Sequence, residues 1–131
     1  MSIFLDASAM VSMIAGEEDA VTLSERLDAH EEKMTSAIAY WETVVALSRS
    51  HNYAPDVASD VVRNFIDARV IRINPISFLE TQEAISAYKR YGKGRDPAGL
   101  NMGDCFAYAS AKTSDADLLY KGNDFAQTDL A

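Results

Sequence analysis

Short apolar runs alternate with longer stretches of helical periodicity, and this alternation restricts the fold more than any other feature of the chain. Ile3-Phe4-Leu5 is too short for a helix and reads as a strand buried on both faces. Val70-Ile71-Arg72-Ile73, closed by Asn74-Pro75, and Leu118-Leu119-Tyr120 are expected to be strands as well. Between them the periodicity is helical. Asp6-Ala7-Ser8-Ala9 turns into a helix carrying Met10, Val11, Met13 and Ile14, and Glu17 to His30 follows with Val21, Leu23 and Leu27 inward. Thr35 and Ser36 are candidate caps for a helix over Ala37 to Ser50. Pro55 suits the first turn of the next helix, whose apolar stripe is Val57, Val61, Val62, Phe65 and Ile66. Leu79 to Tyr91 is expected to be helical up to Gly92, Gly92 to Gly103 to be a loop, and Gly103 to Thr113 to be the last helix. Strands and helices in alternation imply an α/β fold with a parallel sheet covered by helices, and such sheets gather their sites at the carboxyl ends of the strands.

At 131 residues, 48% of them hydrophobic, the chain has the size and apolar content of one domain with a substantial core. A lone cysteine, Cys105, excludes an internal disulfide and fits a reducing compartment. No apolar run approaches the roughly 20 residues of a membrane span, and the N-terminus has no basic region followed by a long apolar core. The expected location is therefore the cytoplasm. A net charge of −8 argues against simple nucleic-acid binding, which ordinarily shows a basic footprint. Acids gathered around a cation would change that reading. The bases are also unevenly spread, with Lys89, Arg90, Lys93 and Arg95 inside seven residues, a cluster that suits either phosphates or a solvated helix end.

Four acids stand where a scaffold would hold a carboxylate. Asp6 ends the first strand, Glu42 interrupts a helix face, Asp104 opens a helix, and Asp124 follows the last strand. Carboxylates brought together without basic partners repel one another, and a divalent cation relieves that repulsion. Each acid alone has a plainer explanation. Asp6 fits an N-cap, a duty Ser8 could share, and Asp104 fits a first helical turn that Asn101 could already cap. Asp124 beside Asn123 fits an Asx turn. Glu42 is the hardest to dismiss, because it borders the face expected from Ile38, Trp41 and Val45, where an unpaired carboxylate is costly; pairing with Arg49 is the alternative. His30 and His51 stand alone without zinc-like spacing and read as surface residues, and Cys105 reads as a buried small side chain. Gly92, Gly94 and Gly99 match no nucleotide-binding fingerprint.

Taken together, Phe4-Leu5-Asp6-Ala7-Ser8-Ala9, the Glu42 helix, Tyr91-Gly92-Lys93-Gly94-Arg95, Leu100 to Ala109 around Gly103-Asp104-Cys105, and Lys121-Gly122-Asn123-Asp124-Phe125 through Asp129 resemble the PIN-domain ribonucleases, and more narrowly the VapC toxins of type II toxin–antitoxin pairs. The resemblance spans nearly the whole chain. It implies a single PIN domain over 1–131, a three-layer α/β/α architecture with a central, mainly parallel sheet. It implies endonucleolytic hydrolysis of RNA by water activated with Mg2+ or Mn2+. Asp6, Glu42 and Asp104 occupy the family's metal-binding acid positions, and Asp124 the position of the fourth catalytic acid. Asn123 stands where relatives often carry a second acid. Ser8 and Asn101 fall at polar positions near the site, and Lys93 and Arg95 are candidate substrate contacts. The family's habits imply a homodimer, silenced by a cognate VapB-like antitoxin whose basic side chain would suit an acidic groove. Met10 to Ile14 and the helix from Val57 to Ile66 offer apolar surface for either the core or an interface. The chain ends soon after Leu130, so a final edge strand is expected to be short or missing.

Other acid-rich α/β domains fit less well. A phosphoacceptor receiver would want an acceptor aspartate after a middle strand, where this chain has Asn74-Pro75. A haloacid-dehalogenase-type phosphatase would want aspartates two apart after the first strand, and position 8 is serine. A non-cleaving PIN-like module that binds RNA or an antitoxin is the remaining alternative, which the loss of one acid would have favoured.

Overall fold

Four parallel strands form the centre of the molecule. The computed structural model describes Met1–Ala131. In chain order the elements are β1 (Ser2–Leu5), α1 (Ala7–Ala15), α2 (Ala20–Asp28), β2 (Glu32–Ser36), α3 (Ala37–Ser50), α4 (Pro55–Ala68), β3 (Arg72–Asn74), α5 (Phe78–Tyr91), α6 (Met102–Thr113) and β4 (Asp117–Leu119). The sheet order is β3-β2-β1-β4 with every pairing parallel. Ile3, Phe4 and Leu5 are all inaccessible to solvent. A strand can bury consecutive residues, which point to opposite faces, only when helices cover both faces. The expected α/β architecture is therefore the observed one.

The order of the strands places the site. From β1 the chain steps outward through β2 to β3, then returns to lay β4 on the other side of β1. The strand order reverses between β1 and β4, and the crevice beyond the carboxyl ends at such a reversal is where α/β sheets hold ligands. The β1–β4 pairing runs one residue past β1, because Asp6 N–H donates to Leu119 O at 3.0 Å.

Several expectations need correction. β2 was not anticipated: Glu32-Lys33-Met34-Thr35-Ser36 carries two charges and two hydroxyls, and it is made a strand by its partners. Thr35 is buried there, donating to Leu5 O at 2.9 Å, so only Ser36 caps α3, accepting from Ala39 N–H. The third strand is later than expected, because Val70 lies outside it with φ 56° and its side chain in solvent. The second helix starts at Ala20, three residues after Glu17. On α3 the inward face is Ala39, Thr43 and Leu47, and Trp41 points to solvent at 64% exposure. His30 is not a surface residue: its ring is buried, hydrogen-bonded to Arg26 O at 2.7 Å and Asp117 Oδ2 at 2.8 Å. Met10 is buried, with Val11, Met13 and Ile14 packed on the same core, while on α4 the buried positions are Ala58, Val62 and Ile66. After Leu119 there is no further strand.

Candidate active site

Each acid of the cleft is fixed by a different element. Asp6 is the N-cap of α1: its Oδ2 accepts from Ser8 N–H at 3.1 Å and Ser8 Oγ at 2.6 Å. Asp104 belongs to a capping box at the start of α6. Its N–H donates to Asn101 Oδ1 at 2.9 Å, and its Oδ2 accepts from Asn101 N–H at 3.1 Å. The capping roles expected of Asp6 and Asp104 are observed, and they do not exclude a site role: the cap bond sets each carboxylate's direction and leaves its remaining lone pairs free. Glu42 projects from the middle of α3 and lies against Gly103 so closely that a Cβ there would overlap its carboxylate. Asp124 stands exposed on the segment after β4.

The four carboxylates share one cleft of about 400 Å3, walled also by Ser8, Glu17 and Lys121. Their mutual influence follows from that proximity. Burial, then the charges of Asp6 and Asp104, push Glu42 up to about 7. Burial, opposed by the Asn101 N–H bond and helped by Asp6 and Asp124, pushes Asp104 up to about 6. Burial raises the carboxyl of Asp6 against the bonds from Ser8. Neither Glu42 nor Asp104 is ion-paired with a base. Three desolvated carboxylates repelling one another form a site that a hard divalent cation with oxygen preference would fit. Gly103, keeping α6 bare where Glu42 needs room, supports the same conclusion. No three His, Cys, Asp or Glu side chains stand in a finished ligand shell, so ligation would require the carboxylates to draw closer.

Of the other candidates, Ser8 is at the centre: besides its bond to Asp6 its Oγ accepts from Lys121 N–H at 3.0 Å, tying the post-β4 segment to the start of α1. Lys93 and Arg95 are elsewhere, and Asn101 meets the site only through its capping bonds with Asp104. The Asn101 side chain is used in capping, and Asn101 and Lys93 border a separate apolar groove between α5 and α6, with Tyr88, Met102 and Phe106. Arg95 stacks over the Tyr88 ring at 5.6 Å, and Arg90 donates to the hydroxyls of Tyr108 and Tyr91. Glu17 and Lys121 were not anticipated as site residues. Glu17 looked like the start of a helix; for Lys121 the available signal was a base three residues before Asp124, directly after a strand.

Fold and acidic cleft together define a PIN domain, and the model of the PIN domain family matches residues 3–130. A VapC ribonuclease of Rhizobium meliloti is 39% identical over 139 residues, covering 97% of this chain and 98% of the relative. One of Mycobacterium bovis is 34% identical over 127 residues, covering 97% and 95%. The crystal structure of Mycobacterium tuberculosis VapC20, described as a Sarcin-Ricin loop cleaving toxin, superposes with a TM-score of 0.74 at 21% identity over 98% of this chain and 96% of that one, a likeness of fold. The chain belongs to the PIN-domain family and, within it, to the VapC ribonucleases.

Proposed function

We propose that this chain is a divalent-cation-dependent endoribonuclease, the toxin of a type II toxin–antitoxin pair, acting in the cytoplasm as one domain. The observation that carries the reading is the convergence of Asp6, Glu42 and Asp104, from three separate elements, on one cleft without a basic partner among them for Glu42 or Asp104. Asp6, Glu42 and Asp104 would hold Mg2+ or Mn2+. When bound, the ion supplies Lewis-acid polarisation of the scissile phosphate and makes water easier to deprotonate.

The protein's own groups account for the rest. Ser8 and the Asn101 N–H set the directions of Asp6 and Asp104, so that what remains is for the carboxylates to draw together around the ion. Asp124, exposed and lining the same cleft, would accept a hydrogen bond from the attacking water and orient it. Single-stranded or looped RNA fits an open cleft of this kind, because its backbone can be bent into it.

A cognate antitoxin placing a basic side chain among the carboxylates would neutralise the cleft and block it. A homodimer is proposed as well, on the family's habit. No helix is long and apolar enough to cross a membrane. The test is cleavage of RNA by antitoxin-free protein in Mg2+, Mn2+ or chelator, beside Asp104→Asn. Cutting that requires the cation and is lost in the folded variant is the expected result; chelator-resistant cutting, or full activity in Asp104→Asn, would overturn the reading.

A further inference from the structure

The cleft is a difficult place for a polyanion. Its walls carry five carboxylates, from Asp6, Glu17, Glu42, Asp104 and Asp124, and a single cationic side chain, Lys121. That ammonium is held by the turn between α1 and α2: Nζ lies 2.7 Å from Glu17 Oε1 and 3.5 Å from Asp19 Oδ1. Its backbone is fixed too, since Lys121 N–H donates to the same Ser8 Oγ that bonds Asp6. Asp19 is in turn anchored by Ser12 Oγ at 2.7 Å. Lys121 is thus tied at its backbone to α1, which Asp6 caps, and at its ammonium to the turn that follows α1.

We propose that Lys121 is the substrate-positioning cation of the cleft, binding a backbone phosphate next to the scissile one. This rests on the ribonuclease reading. The cation held by the acids can offset charge only where it sits, so the neighbouring phosphates of an RNA strand meet Glu17 and Asp124 unless a base intervenes. Lys121 is 38% exposed, so its ammonium can exchange a carboxylate for a phosphate without leaving its place. Glu17 and Asp19 act as a rest position, holding a flexible side chain near the position it needs when RNA enters. The basic cluster from Lys89 to Arg95 serves the cleft less directly, because none of its members lines it.

A purely structural Lys121, bracing the α1–α2 turn, is the competing account. Ion pairs at this exposure contribute little to stability. The test therefore reads binding and salt dependence as well as turnover. A short fluorescent single-stranded RNA is titrated at low salt against Asp104→Asn and against Asp104→Asn with Lys121→Met, and cleavage is compared between wild type, Lys121→Met, Lys121→Arg and Glu17→Gln. Positioning predicts weaker binding by about tenfold and a KM raised by a similar factor for Lys121→Met. It also predicts kcat within about twofold of wild type and a log–log salt slope smaller by roughly 0.7, one phosphate's share on a single strand. Lys121→Arg should restore most of the affinity, and Glu17→Gln, which frees the ammonium, should leave KM unchanged or lower it. Equal affinities and slopes with and without Lys121, absence of any RNA binding by the parent, or a KM rise in Glu17→Gln matching that of Lys121→Met would overturn it. If wild type cleaves nothing, the ribonuclease reading is what fails, and the binding titration still decides the role of Lys121.

Discussion

Gly103→Ala separates what the helix wants from what the site needs. Gly103 is buried in the first turn of α6 and has ordinary helical geometry, so alanine should favour the helix by up to about 1 kcal/mol. The new Cβ, however, would fall within 3.0 Å of both carboxylate oxygens and Cδ of Glu42, with Oε1 at 2.6 Å. Ordinary contact begins near 3.4 Å, so that oxygen must retreat by at least 3.4 − 2.6 = 0.8 Å, and its partner by more. The clashing atoms are the end of a flexible side chain, so the fold can yield by turning Glu42, and stability should stay within about 1 kcal/mol of wild type. The carboxylate would then be misplaced by roughly 1 Å, a displacement that costs a positioned catalytic group about 100-fold. The expected result is an unchanged or slightly raised melting temperature with kcat down about two orders of magnitude in saturating Mg2+. Cleavage at more than about a third of the wild-type rate would refute the claim that Gly103 is kept bare for Glu42.

Further outcomes follow from the same contacts. Glu42 and Asp104 titrate near 7 and 6, above their ordinary values, so the cation-free fold holds more protons than the unfolded chain and its stability falls as pH rises from about 4 through 7. Melting without divalent ions should therefore show a lower midpoint at pH 8 than at pH 5.5, and added Mg2+ should raise the midpoint more at pH 8; a larger Mg2+ effect at the lower pH would contradict this. Ser8→Ala removes the hydroxyl that joins Asp6 to Lys121 N–H, and kcat/KM should drop about tenfold with the fold intact, measured by RNA cleavage beside circular dichroism. At the C-terminal end, burial pushes Asp129 up but the bonds from Lys112 and Tyr108 outweigh it, holding the carboxyl at about 2. Asp129→Ala should cost about 1 kcal/mol near neutral pH, since the group is partly screened by solvent. The difference from wild type should vanish as pH falls from about 4 to 2, the range over which a lowered carboxyl loses its advantage, and a constant gap in urea melts across that range would refute it.

What was legible in the chain divides along physical lines. β1 could be found because Ile3-Phe4-Leu5 is buried on both sides and must be apolar throughout. β2 could not, since Thr35 satisfies its hydroxyl on Leu5 O and Lys33 and Glu32 reach solvent at the strand's start. Its strand character lies in its neighbours and not in its composition. The helical face of α3 was misjudged for a related reason: Trp41 looks like core, but the positions packed inward are Ala39 and Thr43, small residues that let the helix approach its neighbours. His30 looked isolated because its partner, Asp117, is 87 residues away. The acids of the cleft were legible because each has a local signature, a strand end for Asp6 and Asp124, a helix start for Asp104 and a break in an apolar helix face for Glu42, while the glycine that makes room for Glu42 and the lysine that faces them become meaningful only once distant elements meet.

The acidity of the chain bears differently on its function once the cleft is in view. A charge of −8 ought to repel RNA, and over most of the surface it would. Inside the cleft the same charge is a concentrated repulsion that a divalent ion would reduce, so cation binding and RNA entry should be coupled: each carboxylate neutralised would lower the barrier to the phosphate that follows. The raised titration of Glu42 and Asp104 gives that coupling a direction, because protons and cations compete for the same oxygens. At pH 6 the cleft should be partly discharged by protons and should hold a divalent cation weakly; at pH 8 it should have lost those protons and bind the cation more tightly. A basic antitoxin side chain would enter the same competition, so its affinity should fall as the concentration of divalent cation rises. The charge that should keep RNA off the rest of the surface would thus favour its entry where a cation offsets the acids, with Lys121 proposed as the cationic side chain that the strand meets there.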